Sequence, residues 1–98
     1  MANPKLQGES MDVLFRAILL LEKEEECYRF FEDIATISEL KALAQRFQVA
    51  RMLHNGKTYQ QIEGETGAST ATISRVKRYL QYGAGGYSLV LSRLDQKR

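Results

Sequence analysis

The chain has 98 residues, 44% hydrophobic and 27% charged, with a net charge of +2. That length fits one domain with a modest core, and association with a second copy is a common way to enlarge such a core. A single cysteine excludes an internal disulfide, and the longest apolar run, residues 17–21, is far too short to span a bilayer.

The charge is unevenly spread. Residues 1–40 carry 4 basic and 9 acidic side chains, a balance of −5, whereas residues 41–98 carry 10 basic and 3 acidic, a balance of +7. A basic C-terminal half suits a polyanionic partner. The first ten residues, MANPKLQGES, lack the apolar stretch of a signal peptide, so the expected setting is the cytoplasm with no membrane partner.

Residues 1–9, which include the only proline, Pro4, read as a flexible arm before a single domain over residues 10–98. Helical periodicity dominates from there, and strand signals are weak. A first helix over about residues 10–24 presents Met11, Leu14, Phe15, Ile18, Leu19 and Leu21 as a broad apolar surface. A second, over about residues 25–34, carries Cys27, Phe30, Phe31 and Ile34. Cys27 reads as a small core residue. The acidic run Glu22, Glu24, Glu25, Glu26 reads as a solvated face that also complements the helix dipole. Together the two helices hold more apolar surface than a small monomer easily covers, which points to a dimer interface. The alternative is that both fold over the third helix.

Thr36-x-x-Glu39 is a capping box that opens the third helix, about residues 37–54, with a stripe of Leu40, Leu43, Phe47, Ala50 and Leu53. His54-Asn55-Gly56 ends it, with Gly56 in the left-handed conformation. Thr58-x-x-Gln61 caps a short fourth helix, about residues 59–66, which Gly67 closes. Ser69 caps a fifth, about residues 70–82, and GAGG at residues 83–86 breaks the chain. Leu89, Val90, Leu91 and Leu94 belong to a final short helix before Gln96, Lys97 and Arg98.

Two short helices joined by a tight Gly turn suggest a helix-turn-helix, with Ile62, Ala68, Ile73 and Val76 where the two must touch. On the fifth helix, Ile73, Val76 and Leu80 share the core side. Ala71, Arg75, Arg78 and Tyr82 lie opposite, with Ser74 beside them and Thr70 and Thr72 flanking the start. The outward face thus begins with small side chains and ends with cationic ones. That order suits a helix entering the DNA major groove by its N-terminus. Methyls and hydroxyls meet base edges there, and Arg75, Lys77 and Arg78 reach phosphates or guanine O6 and N7. The same small residues also serve helix capping, and a basic face is often only a solvated one.

At these residues the sequence resembles the Trp repressor family. GASTATISR, residues 67–75, resembles the turn and recognition-helix start of that family, and LKALAQRFQVARMLHNG, residues 40–56, its preceding long helix. The likeness is clear over about residues 36–80 and looser in the N-terminal helices. The whole chain, including GYSLVL after the break, resembles the bacterial YerC/YecD group within it. The resemblance implies an all-α, six-helix fold and an intertwined homodimer that sets two recognition helices in successive major grooves of double-stranded DNA. It implies a transcriptional regulator, in the sense of a repressor. Base- and phosphate-contacting roles carry over to Thr70, Ala71, Thr72, Ser74 and Arg75. Lys57, Ser69, Lys77 and Arg78 complete the expected DNA-binding set. Which of Thr70, Thr72 and Ser74 touches bases depends on the docking angle.

The co-repressor site carries over less well. Arg46 and Arg75 match the two family arginines that sandwich an indole ring, but Val76 stands where the family has Gly and Tyr79 where it has Ser. Both side chains would occupy the ring's space, so the expectation is a vestigial pocket and no tryptophan dependence, with DNA bound either without a cofactor or with a different effector. Gln60 and Glu63 also replace basic family residues that face the DNA backbone, and the turn between Gly56 and Ile62 is one residue shorter. Fewer phosphate contacts imply a smaller salt slope, partly offset by Lys57 and Arg78.

An enzyme is not expected, for want of a phosphate loop, a metal-ligand cluster or a nucleophile–base pair. His54, the lone histidine, reads as a surface cap rather than a metal ligand. The competing function is a protein-interaction adaptor that uses the acidic half as its docking surface.

Overall fold

The computed structural model describes residues 3–96. Among these, a short 3-10 turn at Pro4–Leu6 precedes six helices, and no strand forms. The helices are α1 (Glu9–Ile18), α2 (Glu24–Ile34), α3 (Ile37–His54), α4 (Tyr59–Thr66), α5 (Thr70–Tyr82) and α6 (Gly86–Gln96). The all-α, six-helix expectation is met. Met1 and Ala2 of the expected arm, and Lys97 and Arg98 at the other end, lie outside the described residues. The chain forms two compact units that divide inside α3, between Leu40 and Lys41. The charge balance changes sign at the same place.

In the first unit α1 stops at Ile18, well short of the expected end near residue 24. The cause is local. Leu20 and Leu21 donate their N–H groups three residues back, to Ala17 and Ile18, which tightens the chain out of the α-helix. Lys23 is then extended as the N-cap of α2, and the Glu26 carboxylate accepts the Glu22 N–H at 2.8 Å. Glu24, Glu25 and Glu26 fill the first turn of α2, where negative charge meets the positive end of the helix dipole. No residue of α1 or α2 is buried. Cys27 is exposed, a correction to its expected core role. The half-buried apolar places on α2 go instead to Phe30 and Phe31, whose rings meet edge-on with centroids 5.4 Å apart.

Glu39 closes the capping box of α3: its carboxylate accepts the Thr36 N–H at 2.8 Å, and its own N–H donates to Thr36 Oγ1 at 3.1 Å. The expected stripe on α3 is only partly right. Ala50 is buried, but Leu43 is half exposed, and the other buried α3 side chains are Val49 and Met52. The core of the second unit engages α3 only from Phe47 onward, so apolar residues earlier on the helix lack cover within it.

That core joins Val49, Ala50 and Met52 to Ile62 of α4, Ala68 of the turn, Ile73 and Val76 of α5 and Leu91 of α6. The four residues predicted to bring the two short helices together, Ile62, Ala68, Ile73 and Val76, are all buried. Leu80 packs against the cluster from its edge. α5 packs on both α4 and α6 and so sits at the centre of the unit. The GAGG break falls between α5 and α6, although its last glycine, Gly86, already begins α6.

Candidate nucleic-acid interface

The turn between α4 and α5 is fixed by short-range hydrogen bonds. Thr58 and Gln61 form a complete capping box at the start of α4, with Thr58 Oγ1 accepting from Gln61 N–H and Gln61 Oε1 from Thr58 N–H. At its end Thr66 Oγ1 donates to the Ile62 carbonyl at 2.7 Å and accepts the Ala68 N–H at 3.1 Å. Gln45 Nε2, from α3, donates to the Thr66 carbonyl at 3.1 Å. Gly67 takes a left-handed conformation, φ 72°, which lets α4 end after 8 residues. Ser69 Oγ then accepts the Thr72 N–H at 3.1 Å and opens α5.

With Ile73 and Val76 turned into the core, the opposite side of α5 faces out. Ala71, Ser74, Arg75 and Arg78 line one shallow concavity of about 380 Å³ there. Ser69, Thr70 and Lys77 are exposed around it, Thr72 is half-buried, and Lys57 is exposed before α4. Among the described residues, Lys57, Arg75, Lys77 and Arg78 form no ion pair with a carboxylate. Lys77 Nζ instead lies 5.8 Å from the centre of the Tyr59 ring, and the Arg78 guanidinium 5.6 Å from that of Tyr79.

Two α4 residues join this surface: Tyr59, which sequence reasoning did not assign to it, and Glu63, which it placed toward the DNA backbone without a partner on α5. Tyr59 reaches Ser74, hydroxyl to hydroxyl at 3.3 Å, and Glu63 accepts a 2.6 Å hydrogen bond from Thr70 Oγ1. Each pair is far apart in sequence, so no periodicity within one helix signals it. Only the helix-turn-helix pattern, read as a packed pair, could have done so.

The four residues of the expected vestigial pocket lie in different surroundings. Arg46 is exposed and its Nε donates back to the Ala42 carbonyl at 3.4 Å. Arg75 belongs to the outward concavity, and Val76 is 1% exposed in the core. Tyr79 is 52% exposed and lines a separate apolar groove of about 480 Å³ with Phe47, Tyr87 and Val90. His54 Nε2 lies 3.9 Å from Asp95 Oδ2, at the end of α3 as a cap residue would be. Among the described residues no group of three or more His, Cys, Asp or Glu is placed to hold a metal ion, and no helix is long and apolar enough to cross a membrane.

Residues 9–95 match the family model described as Trp repressor protein. The chain is 59% identical over 92 residues to the uncharacterized protein YerC of Bacillus subtilis strain 168, covering 94% of this chain and 88% of that one. A crystal structure of a candidate Trp repressor from Staphylococcus aureus superposes with a TM-score of 0.91 at 55% identity, covering 97% of this chain and 95% of the other. A TrpR-like protein from Eubacterium eligens ATCC 27750 gives 0.92 at 53% identity, with 95% and 96% covered. With a helix-turn-helix that turns an unpaired basic face outward, the chain belongs to the Trp repressor family of DNA-binding regulators, which are not enzymes.

Proposed function

We propose that the protein is a sequence-specific binder of double-stranded DNA that acts in the cytoplasm as a homodimeric transcriptional repressor, with α5 in the major groove. The observation that carries this reading is the outward concavity of α5, where Ala71 and Ser74 adjoin Arg75 and Arg78 and, among the described residues, no carboxylate pairs with either cation. Ser69, Thr70, Ala71, Thr72, Ser74 and Arg75 contact bases and nearby phosphates in this reading, and Lys57, Lys77 and Arg78 the flanking backbone.

The first unit supports the homodimer. Leu19 is 82% exposed and Phe15 52%, and Leu20, Tyr28 and Ile34 are also exposed. That much apolar surface on two adjacent helices is what a second copy would cover. Operator binding without tryptophan is supported by the bulk of Tyr79, half exposed where the family has a small Ser, whereas Val76 is turned into the core and away from a ring's space.

Selection from random duplexes with purified protein, near-physiological salt and no added ligand tests the reading. A pseudo-palindrome with half-sites about one helical turn apart is the expected result. Weak, salt-sensitive binding with no enriched sequence would overturn it and turn attention to an adaptor role.

A further inference from the structure

Thr70 stands apart from the other hydroxyls on the recognition helix. A hydroxyl has one hydrogen and two acceptor lone pairs. The Thr70 hydrogen is committed: Oγ1 donates to Glu63 Oε1 at 2.6 Å, the short distance of a bond to a charged acceptor. Thr72 and Ser74 are freer. Ser69 Oγ donates to Thr72 Oγ1, which leaves the Thr72 hydrogen available, and in the Tyr59–Ser74 pair either oxygen can be the donor. Thr70 and Glu63 are both exposed, and among the described residues Glu63 forms no ion pair.

Resting on the DNA-binding reading above, we propose that Glu63 and Thr70 form an acceptor-only edge that selects an exocyclic amino group in the major groove, cytosine N4 above all. The carboxylate turns the Thr70 lone pairs outward and adds its own second oxygen. Guanine presents O6 and N7 in the groove and thymine O4, all acceptors, so both are repelled. Adenine offers its N6 amino group but sets the N7 acceptor beside it. Cytosine offers N4 with no acceptor alongside, and a carboxylate is its regular partner. Glu63 also stands where the DNA backbone repels negative charge, so it lowers affinity for every sequence while rejecting the wrong ones more.

The test is selection from random duplexes with the wild type, Glu63→Gln, Thr70→Val and Thr70→Ser, followed by affinity measurements on the winning site and its single-base variants. The wild type is expected to require cytosine at one position of each half-site, by about five- to a hundredfold over the other bases. Glu63→Gln adds a donor, so preference there falls to within about twofold or turns to adenine, which glutamine pairs through N6 and N7. Thr70→Val weakens the same position, Thr70→Ser restores it, and the other positions and the melting temperature stay as they were. If the wild type enriches a site but Glu63→Gln and Thr70→Val keep every base preference, the pair is not a discriminator and the DNA reading survives. A dependent position that holds guanine or thymine in the wild type also overturns the proposal. If the wild type enriches nothing, the DNA reading fails and the proposal with it.

Discussion

Tyr59 and Ser74 meet across the turn of the helix-turn-helix, with 3.3 Å between their hydroxyl oxygens, and Lys77 Nζ rests 5.8 Å from the centre of the same tyrosine ring. One side chain of α4 therefore holds two of the residues that α5 turns outward. Tyr59→Phe keeps the ring and removes the hydroxyl. It is expected to cost about 0.5–1.5 kcal/mol of operator affinity, the usual worth of one hydrogen bond, with a small change in melting temperature. Fluorescence anisotropy on a selected site, beside a thermal melt, measures both. Unchanged affinity would mean that Ser74 does not need its partner.

Arg75 and Lys77 are expected to fail differently. Arg75 shares the concavity with Ala71 and Ser74, whereas Lys77 lies against Tyr59. Arg75→Ala is expected to cost about 1–3 kcal/mol on the selected site and relax one base position. Lys77→Ala is expected to weaken all sequences alike and reduce the salt slope by about 0.9. Titrations at several salt concentrations on specific and scrambled duplexes separate the two. Equal loss on both duplexes for Arg75→Ala would assign it to the backbone.

Much of the second unit was legible in the sequence because its signals are local. The Thr58–Gln61 box, the Gly67 stop and the Ser69 cap each act within one turn, and α4 and α5 begin and end where those residues require. The spacing of Ile62, Ala68, Ile73 and Val76 likewise reports one shared core. The first unit was harder to read. Its apolar residues run past Ile18 without a period break, so nothing announced that Leu20 and Leu21 would leave the helix. Cys27 misled because its apolar neighbours suggested a core that the unit does not close around it. Within the site, the residues on α5 could be read from one helical face. The contacts of Tyr59 and Glu63 arise only when two helices pack.

Gly67 and Gly83 are needed for different reasons. At Gly67 the backbone is left-handed and a Cβ would meet open space, so Gly67→Ala brings only backbone strain, about 1–2 kcal/mol. At Gly83 the conformation is ordinary, but a Cβ would run into the backbone carbonyl of Tyr79. That carbonyl cannot easily retreat, because it accepts the Gly83 N–H at 2.9 Å. Gly83→Ala is expected to cost about 2–3 kcal/mol, as overpacking against a fixed neighbour does. Chemical denaturation of both variants checks the order. A smaller loss for Gly83→Ala would show that the end of α5 adjusts freely.

Glu39 gives the fold an acid-sensitive cap. The Thr36 N–H, and after it the Thr36 hydroxyl, hold its carboxyl below the usual range, with a slight opposing effect of burial. A folded-state value below the unfolded one means that the ionised cap stabilises above the unfolded value. That contribution is lost as the pH falls through the folded one. Wild type is therefore expected to melt above Glu39→Gln at neutral pH, with the gap closing as the pH falls below the ordinary carboxyl value of 4.5. A gap that does not change with pH would assign the cap to hydrogen bonding alone.

Leu19 and Phe15 offer a direct check on assembly. Both are exposed in the single chain, so replacing them with Glu should leave its fold intact. The double variant Phe15→Glu/Leu19→Glu is expected to sediment as a monomer and to lose most operator affinity, since each half-site is then read alone. A double variant that still sediments as a dimer would place the interface elsewhere.

Every hydroxyl along the leading edge of α5 already has a partner: Ser69 with Thr72, Thr70 with Glu63, Ser74 with Tyr59. The Ser69 and Thr70 hydrogens are committed before any duplex arrives and the Thr72 and Ser74 oxygens are already held, so little side-chain freedom remains to be lost on binding. At Thr70 the same rigidity leaves little means of accommodating a mismatched base. In calorimetry a correct and an incorrect site should therefore differ mainly in enthalpy, and the protein should behave as a rigid template rather than a surface that moulds itself to its target.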